Sequence, residues 1–206
     1  WRAAFKPLVD RIADTDIRLQ WFCCDRSTGV TDASGKRVTL IRDTKYPVSV
    51  EYQTVKFIGT GRDNIKAGVF SGWELGDYIY LRSEEAYMIK MEALAHKGSA
   101  DAITELNSFM KTRQPDYNYT FTNKADLIEE IIYQKRVEFW GEGLEYIDNR
   151  RLNIPVDRTD ETWGAENNNH FSAGKFRYNQ EERPFLYQLP LSEIENNSQL
   201  SPTDQN

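Results

Sequence analysis

The row Glu138, Glu142 and Glu145 comes nearest, in residue type and spacing, to a reacting pair of side chains. Glu138 and Glu142 stand i,i+4, on one face of any helix that carries them. Two carboxylates so placed suit the acid and base of glycoside hydrolysis. The same span carries Arg136, Asp148, Arg150 and Arg151. That crowding favours a second reading, an ion-pair network that pins helices together. An earlier row, Arg82, Glu85 and Glu92, has spacings of three and seven. Buried charges require partners, so the two rows are expected to face each other. Other reactive sets are missing. His96 and His170 lie far apart, and Cys23 and Cys24 are adjacent, which gives neither zinc spacing nor an unstrained disulfide. Neither histidine has the setting of a Ser-His-Asp or Cys-His arrangement. Gly59-Thr60-Gly61-Arg62 lacks the Gly-Lys-Ser/Thr ending of a phosphate loop and reads as a turn. No metal and no cofactor are expected.

The loop aromatics suggest binding instead. Trp21, Tyr46, Tyr52, Trp73, Trp163 and Tyr178 fall outside the helical stretches, near Arg18, Asp43, Arg62, Asn64 and Asp77. Aromatic faces beside planar hydrogen-bonding groups suit sugars, which present C–H faces and vicinal hydroxyls. Tyr46, Tyr52 and Trp73 are the candidate glycan-binding residues, and Gly72 and Gly76 leave little local bulk around Trp73. The balance of 26 basic against 32 acidic residues, a net charge of −6, counts against nucleic acid. A hydrophobic content of 39% is too high for a disordered chain. No apolar run approaches the roughly 18 residues of a membrane span.

The elements that must position these residues are mostly helical. The first dozen residues read as a helix ending near Asp16. The segments 17–22, 38–41 and 48–52 are β-branched or aromatic and read as short strands. A helix is expected from Tyr78 to Lys97, with Asp77 as its cap, Tyr80, Tyr87, Met91 and Leu94 on one face, and Gly98 as its stop. Ser99 then caps a second helix with Ile103, Leu106 and Met110, and the short turn makes the pair antiparallel. Asn123 caps a third, with Leu127, Ile128, Ile131, Ile132 and Phe139. Gly141 and Gly143 break it before a fourth, Leu144 to Arg151. Residues 153–183 are loop-like, and 185–190 form an apolar extended segment before a Ser192-capped turn. Two helical hairpins of this size suggest tetratricopeptide-like stacking. The divisions are thus 1–77 (helix, short strands and loops), 78–152 (two helical hairpins) and 153–206 (loop and wrapping segment).

Residues 127–151 resemble the carboxy-terminal signature of the SusD/RagB family, a helix ending Glu-Arg-Arg-x-Glu-Leu-x-x-Glu-Gly followed by Arg, an aromatic and Asp-x-x-Arg. Arg136, Glu138, Glu142, Gly143, Asp148 and Arg151 match it, while Gln134, Lys135, Phe139 and Glu145 depart from it. Arg82 to Ala93, Leu106-Asn107 with Arg113, Asp16-Ile17-Arg18, Lys56-Phe57, and Leu189-Pro190 with Glu193-Ile194 and Asn197 resemble further family landmarks in order. The resemblance implies the carboxy-terminal part of a SusD-like fold, entered at Trp1 with a longer protein upstream. It implies a non-catalytic protein, lipid-anchored through an upstream Cys on the outer face of the outer membrane. Such a protein captures oligosaccharide or polysaccharide for a TonB-dependent transporter of the SusC type. From their own crowding and spacing, Arg82, Glu85, Glu92, Arg136, Glu138, Glu142, Asp148 and Arg151 are expected to form a structural ion-pair network. A tetratricopeptide-like scaffold that binds protein without glycan remains the alternative, since its helices would read the same.

Overall fold

A computed structural model describes residues 4–23, 52–54, 56, 80–182 and 189–204. The chain is mostly helical. It divides into two compact units, Trp1–Glu145 and Tyr146–Asn206.

In the first unit, α1 (Lys6–Asp10) is a short helix opened by Pro7 near its start, where a missing N–H costs nothing. Residues Ile17–Trp21 then form a 3-10 turn rather than the strand their composition suggests. The local cause is Asp16, whose carboxylate accepts the Arg18 backbone N–H at 2.9 Å and its Nη2 at 2.7 Å, winding the chain before it can extend. Only β1 (Phe22–Cys23) is extended, paired antiparallel with β2 (Gln53–Thr54). The segment 38–41 lies outside the described residues.

Three longer helices follow. The first, α2 (Ser83–Lys97), starts after Arg82, five residues later than expected, and Gly98 closes it at φ +72°, the left-handed conformation that favours glycine. The expected cap Asp77 lies outside the described residues. The buried face of α2 is Met88, Met91, Glu92 and Ala95. Tyr80, expected on that face, precedes the helix and is 92% exposed, and Tyr87 also points outward, against Phe109. The second helix, α3 (Asp101–Lys111), receives the predicted help from Ser99, whose Oγ accepts the Asp101 N–H at 3.3 Å, and buries Ala102, Leu106 and Met110. The third, α4 (Lys124–Glu138), is capped by Asn123, whose side chain accepts the Asp126 N–H at 3.1 Å. Gly141 and Gly143, both at positive φ, separate it from α5 (Leu144–Arg151).

Helix α2 packs against both α3 and α4. Leu127 and Ile131 of α4, with Phe139 just past its end, complete one apolar cluster with Met88, Met91, Leu106 and Met110. Tyr133 and Val137 of α4 complete another with Val9, Ile12, Leu19 and Phe22. Apolar residues therefore leave α4 in two directions, which is why it shows no single stripe. Glu130, Gln134 and Glu138, four residues apart along it, are buried too.

In the second unit, β3 (Val156–Asp157) pairs with β4 (Arg177–Tyr178). Asp157 accepts the Thr159 N–H at 3.0 Å and the Thr162 hydroxyl at 2.7 Å, starting α6 (Asp160–Trp163). The last helix, α7 (Leu191–Asn196), contains Ser192 rather than being capped by it. Residues 185–188 lie outside the described residues. Among the described residues, no helix is long and apolar enough to cross a membrane.

Candidate functional site

Four-residue spacing places Glu130, Gln134 and Glu138 on one face of α4, and hydrogen bonds link them into a continuous row. Gln134 donates to Glu130 at 2.7 Å, and Arg18 bridges onward, donating to Gln134 at 2.5 Å and to Glu138 at 3.4 Å. The two ends of this row have different surroundings.

At the C-terminal end, Glu138 is 2% exposed and meets three arginines. Arg82 Nη1 lies at 3.0 Å, Arg113 Nη2 at 3.2 Å and Arg18 Nη1 at 3.4 Å. Burial pushes the Glu138 carboxyl up, but the Arg113 hydrogen bond, the charges of Arg18 and Arg113, and the Arg82 hydrogen bond together hold it below its ordinary value. Glu142, just past the helix, accepts from Arg82 Nε at 3.0 Å and from Lys56 Nζ at 2.5 Å. Lys56 Nζ also donates to the Glu138 and Trp140 carbonyls at 2.6 and 3.1 Å, and Arg82 Nη2 to the Glu138 carbonyl at 2.9 Å. These cations satisfy carbonyls that a helix end leaves open and sit at the negative end of its dipole. Burial lowers the Lys56 ammonium below its ordinary value despite the hydrogen bond it donates to Glu142. Both carboxylates are thus engaged by fixed cations, Glu138 by three arginines and Glu142 by Arg82 and Lys56.

The two rows meet in part. Arg82 reaches Glu138 and Glu142, but Glu92 reaches Lys135 at 3.2 Å, and Glu85 joins no ion pair among the described residues. Arg136 lies 3.6 Å from Glu145 near the surface. Within the second unit Asp148 pairs with Arg151 at 2.7 Å. Arg18, Arg113 and Lys56 were absent from the expected network. They stand 120, 25 and 82 residues from Glu138, respectively, so no local spacing points to them.

At the other end of the row, Glu130 sits beside a cleft of about 260 Å3. Arg11, Ala13, Asp16, Gln114, Tyr117, Asn118, Tyr119 and Tyr133 line it with Glu130 and Gln134, among others. Glu130 accepts from Arg11 Nη2 at 2.6 Å and from the Tyr117 hydroxyl at 2.9 Å. Burial, then the Glu130 charge, raises the Tyr117 hydroxyl well above its ordinary value, so it stays a donor. The Arg11 guanidinium lies 3.9 Å from the centre of the Tyr133 ring, with its side chain 47% exposed. Tyr117 and Tyr119 stack at 6.5 Å.

The expected sugar-binding aromatics are elsewhere. Tyr46 and Trp73 lie outside the described residues. Tyr52 is a correction: it is 7% exposed, packed with Val9, Ile12 and Phe22, and its hydroxyl donates to Asp10 at 2.8 Å. Its ring offers no open face. Trp163 is anchored through its Nε1, which donates to the Asp157 carbonyl at 2.9 Å. Among the described residues no group of His, Cys, Asp and Glu is placed to hold a metal ion.

Residues 13–206 match the SusD family, SusD_RagB. The chain belongs to the SusD family. The match takes in the whole Glu138 network and starts at Ala13, two residues past Arg11, so one wall of the cleft precedes it. A similar solved structure is a SusD-like carbohydrate binding protein from Bacteroides vulgatus ATCC 8482, at 26% identity and a TM-score of 0.48. The similarity covers 62% of this SusD-family chain and 30% of that one. No curated protein matches the chain.

Proposed function

We propose that this chain is part of a non-catalytic glycan-capture protein of the SusD type. In this reading it holds oligosaccharide or polysaccharide outside the cell and passes it to a TonB-dependent transporter of the SusC type. A lipid anchor upstream keeps it on the outer membrane. Family membership across residues 13–206 carries the reading. The engagement of Glu138 and Glu142 by cations supports capture over hydrolysis, because it withdraws the carboxylates nearest to a catalytic pair. Tyr46 and Trp73 remain the proposed stacking residues.

The test is calorimetry on the intact protein with neutral and acidic oligosaccharides, together with an assay for new reducing ends. Binding without cleavage is expected, with Trp73→Ala weakening it several-fold to tenfold, the loss of about 0.5–1.5 kcal/mol of stacking. Release of reducing ends would restore the hydrolase reading. Exposed Tyr80, Leu81, Tyr87 and Ile89, at and along α2, favour a protein contact as a second reading. Absence of any bound glycan, with a protein partner retained, would select that scaffold role.

A further inference from the structure

We propose that Trp163 and Arg177, both held by Asp157 in the second unit, form a glycan subsite for a pyranose ring. The subsite rests on the glycan-capture reading and deepens it by naming the ring type and the residues that meet it. Strands β3 and β4 set Asp157 directly opposite Arg177, so the two side chains share one face of the ribbon. Arg177 Nε lies 3.3 Å from Asp157 Oδ2. The Thr159 N–H and hydroxyl reach Asp157 Oδ1 at 3.0 and 2.7 Å, and the Thr162 hydroxyl reaches Oδ2 at 2.7 Å. With both oxygens engaged, Asp157 acts as a clamp. Helix α6 then folds back on it, and Trp163 Nε1 donates to the Asp157 carbonyl at 2.9 Å.

Two groups are presented by this clamp. Trp163 is 37% exposed although its one polar side-chain atom is bonded. The indole therefore offers carbon surface in a fixed orientation, which suits the C–H face of a pyranose. The Arg177 side chain is 55% exposed, and its Nη1 and Nη2 donate no hydrogen bond among the described residues. Pinned at Nε, the guanidinium keeps both of those groups for a ligand. Their planar fork matches two adjacent oxygens, either a vicinal diol or the carboxylate of a uronate. Ring and fork each contact Asp157, so a length of one or two sugar units reaches both.

Calorimetry on the intact protein tests this with maltotetraose, cellotetraose and mannotetraose as diol probes and tetragalacturonate as the carboxylate probe. The natural chain is compared with Trp163→Ala, with Trp163→Phe, and with Arg177→Met, which keeps the stem of the side chain and removes the fork. At least one probe should bind, several-fold to about tenfold more weakly in Trp163→Ala. A diol probe should bind several-fold more weakly in Arg177→Met, and a carboxylate probe at least about tenfold more weakly, which separates the two sources of paired oxygens. Trp163→Phe loses the same N–H anchor as Trp163→Ala but keeps a ring, so it should recover part of the binding. Trp163→Phe as weak as Trp163→Ala overturns the stacking. If Trp163→Ala does not fold, Arg177→Met decides. A probe bound equally by the natural chain and every folded variant overturns the subsite and leaves glycan capture standing. No probe bound by the natural protein removes the glycan-capture reading itself, and the subsite with it.

Discussion

Glu130 and Glu138 are the same residue type, two turns apart on one face of α4, and both are buried. Their partners separate them. Glu138 is held by Arg18, Arg82 and Arg113, drawn from three separate parts of the chain and themselves largely buried. Among the described residues Glu130 pairs with one cation, the half-exposed Arg11, and accepts from two neutral donors, Tyr117 and Gln134, beside open volume. Burial alone therefore does not separate a carboxylate enclosed by cations from one that borders open space. What distinguishes them is whether the counter-charges are fixed in the interior and whether space remains beside the group.

The most damaging way to test the contrast is Glu138→Ala, which leaves Arg18 buried and short of a partner. Folding stability should fall by about 3–5 kcal/mol in urea denaturation, the cost of breaking a buried pair. A loss under about 1 kcal/mol would falsify the scaffold role of that end. Glu142→Ala should cost about 3 kcal/mol, because Arg82 retains Glu138 while Lys56 loses its carboxylate. Since both acids share Arg82, the double variant should differ from the sum of the single effects by about 0.5–3 kcal/mol.

The acid branch of the stability curve sharpens the same point. Glu138 titrates below its ordinary value of 4.5 in the folded chain. Its contribution is therefore fully present above that ordinary value and is lost as pH falls through the folded one. Melting temperatures taken downward in pH should show the loss in the natural chain and a shallower slope in Glu138→Gln. Equal slopes would mean that Glu138 is not held low.

Smaller effects are expected toward the cleft end of α4. Asn123→Ala removes the cap that accepts the Asp126 N–H and should cost about 1 kcal/mol of stability. Asn118→Ala, at an exposed rim position, should change stability by less than about 0.5 kcal/mol. A larger loss in denaturation would show that the rim is part of the scaffold and collapse the contrast.

Much of the frame was legible because its determinants are local. Gly98 at φ +72° ends α2 and Asn123 starts α4 by contacts within four residues. The breaks at Gly141 and Gly143 bound α5 at the expected Leu144–Arg151. Where local signals competed, composition misled. Ile17–Phe22 looks like a strand by residue type, but Asp16 captures the Arg18 N–H and the buried Arg18 side chain together. Tyr80 and Tyr87 fit a helical spacing, yet Met88, Met91 and Ala95 fill the face that packs.

By itself the sequence determined the Asn123 cap, the stops at Gly98, Gly141 and Gly143, and the family signature on α4. Only the tertiary structure decided which cation met which acid, that Tyr52 is core, and that Glu130 borders a cleft while Glu138 does not. The reason is distance along the chain. A cap is settled within one turn, whereas Arg18 meets Glu138 across 120 residues and Arg11 meets Glu130 across 119. Side-chain chemistry makes such pairs favourable, but the path of the chain selects among arginines that are chemically equivalent.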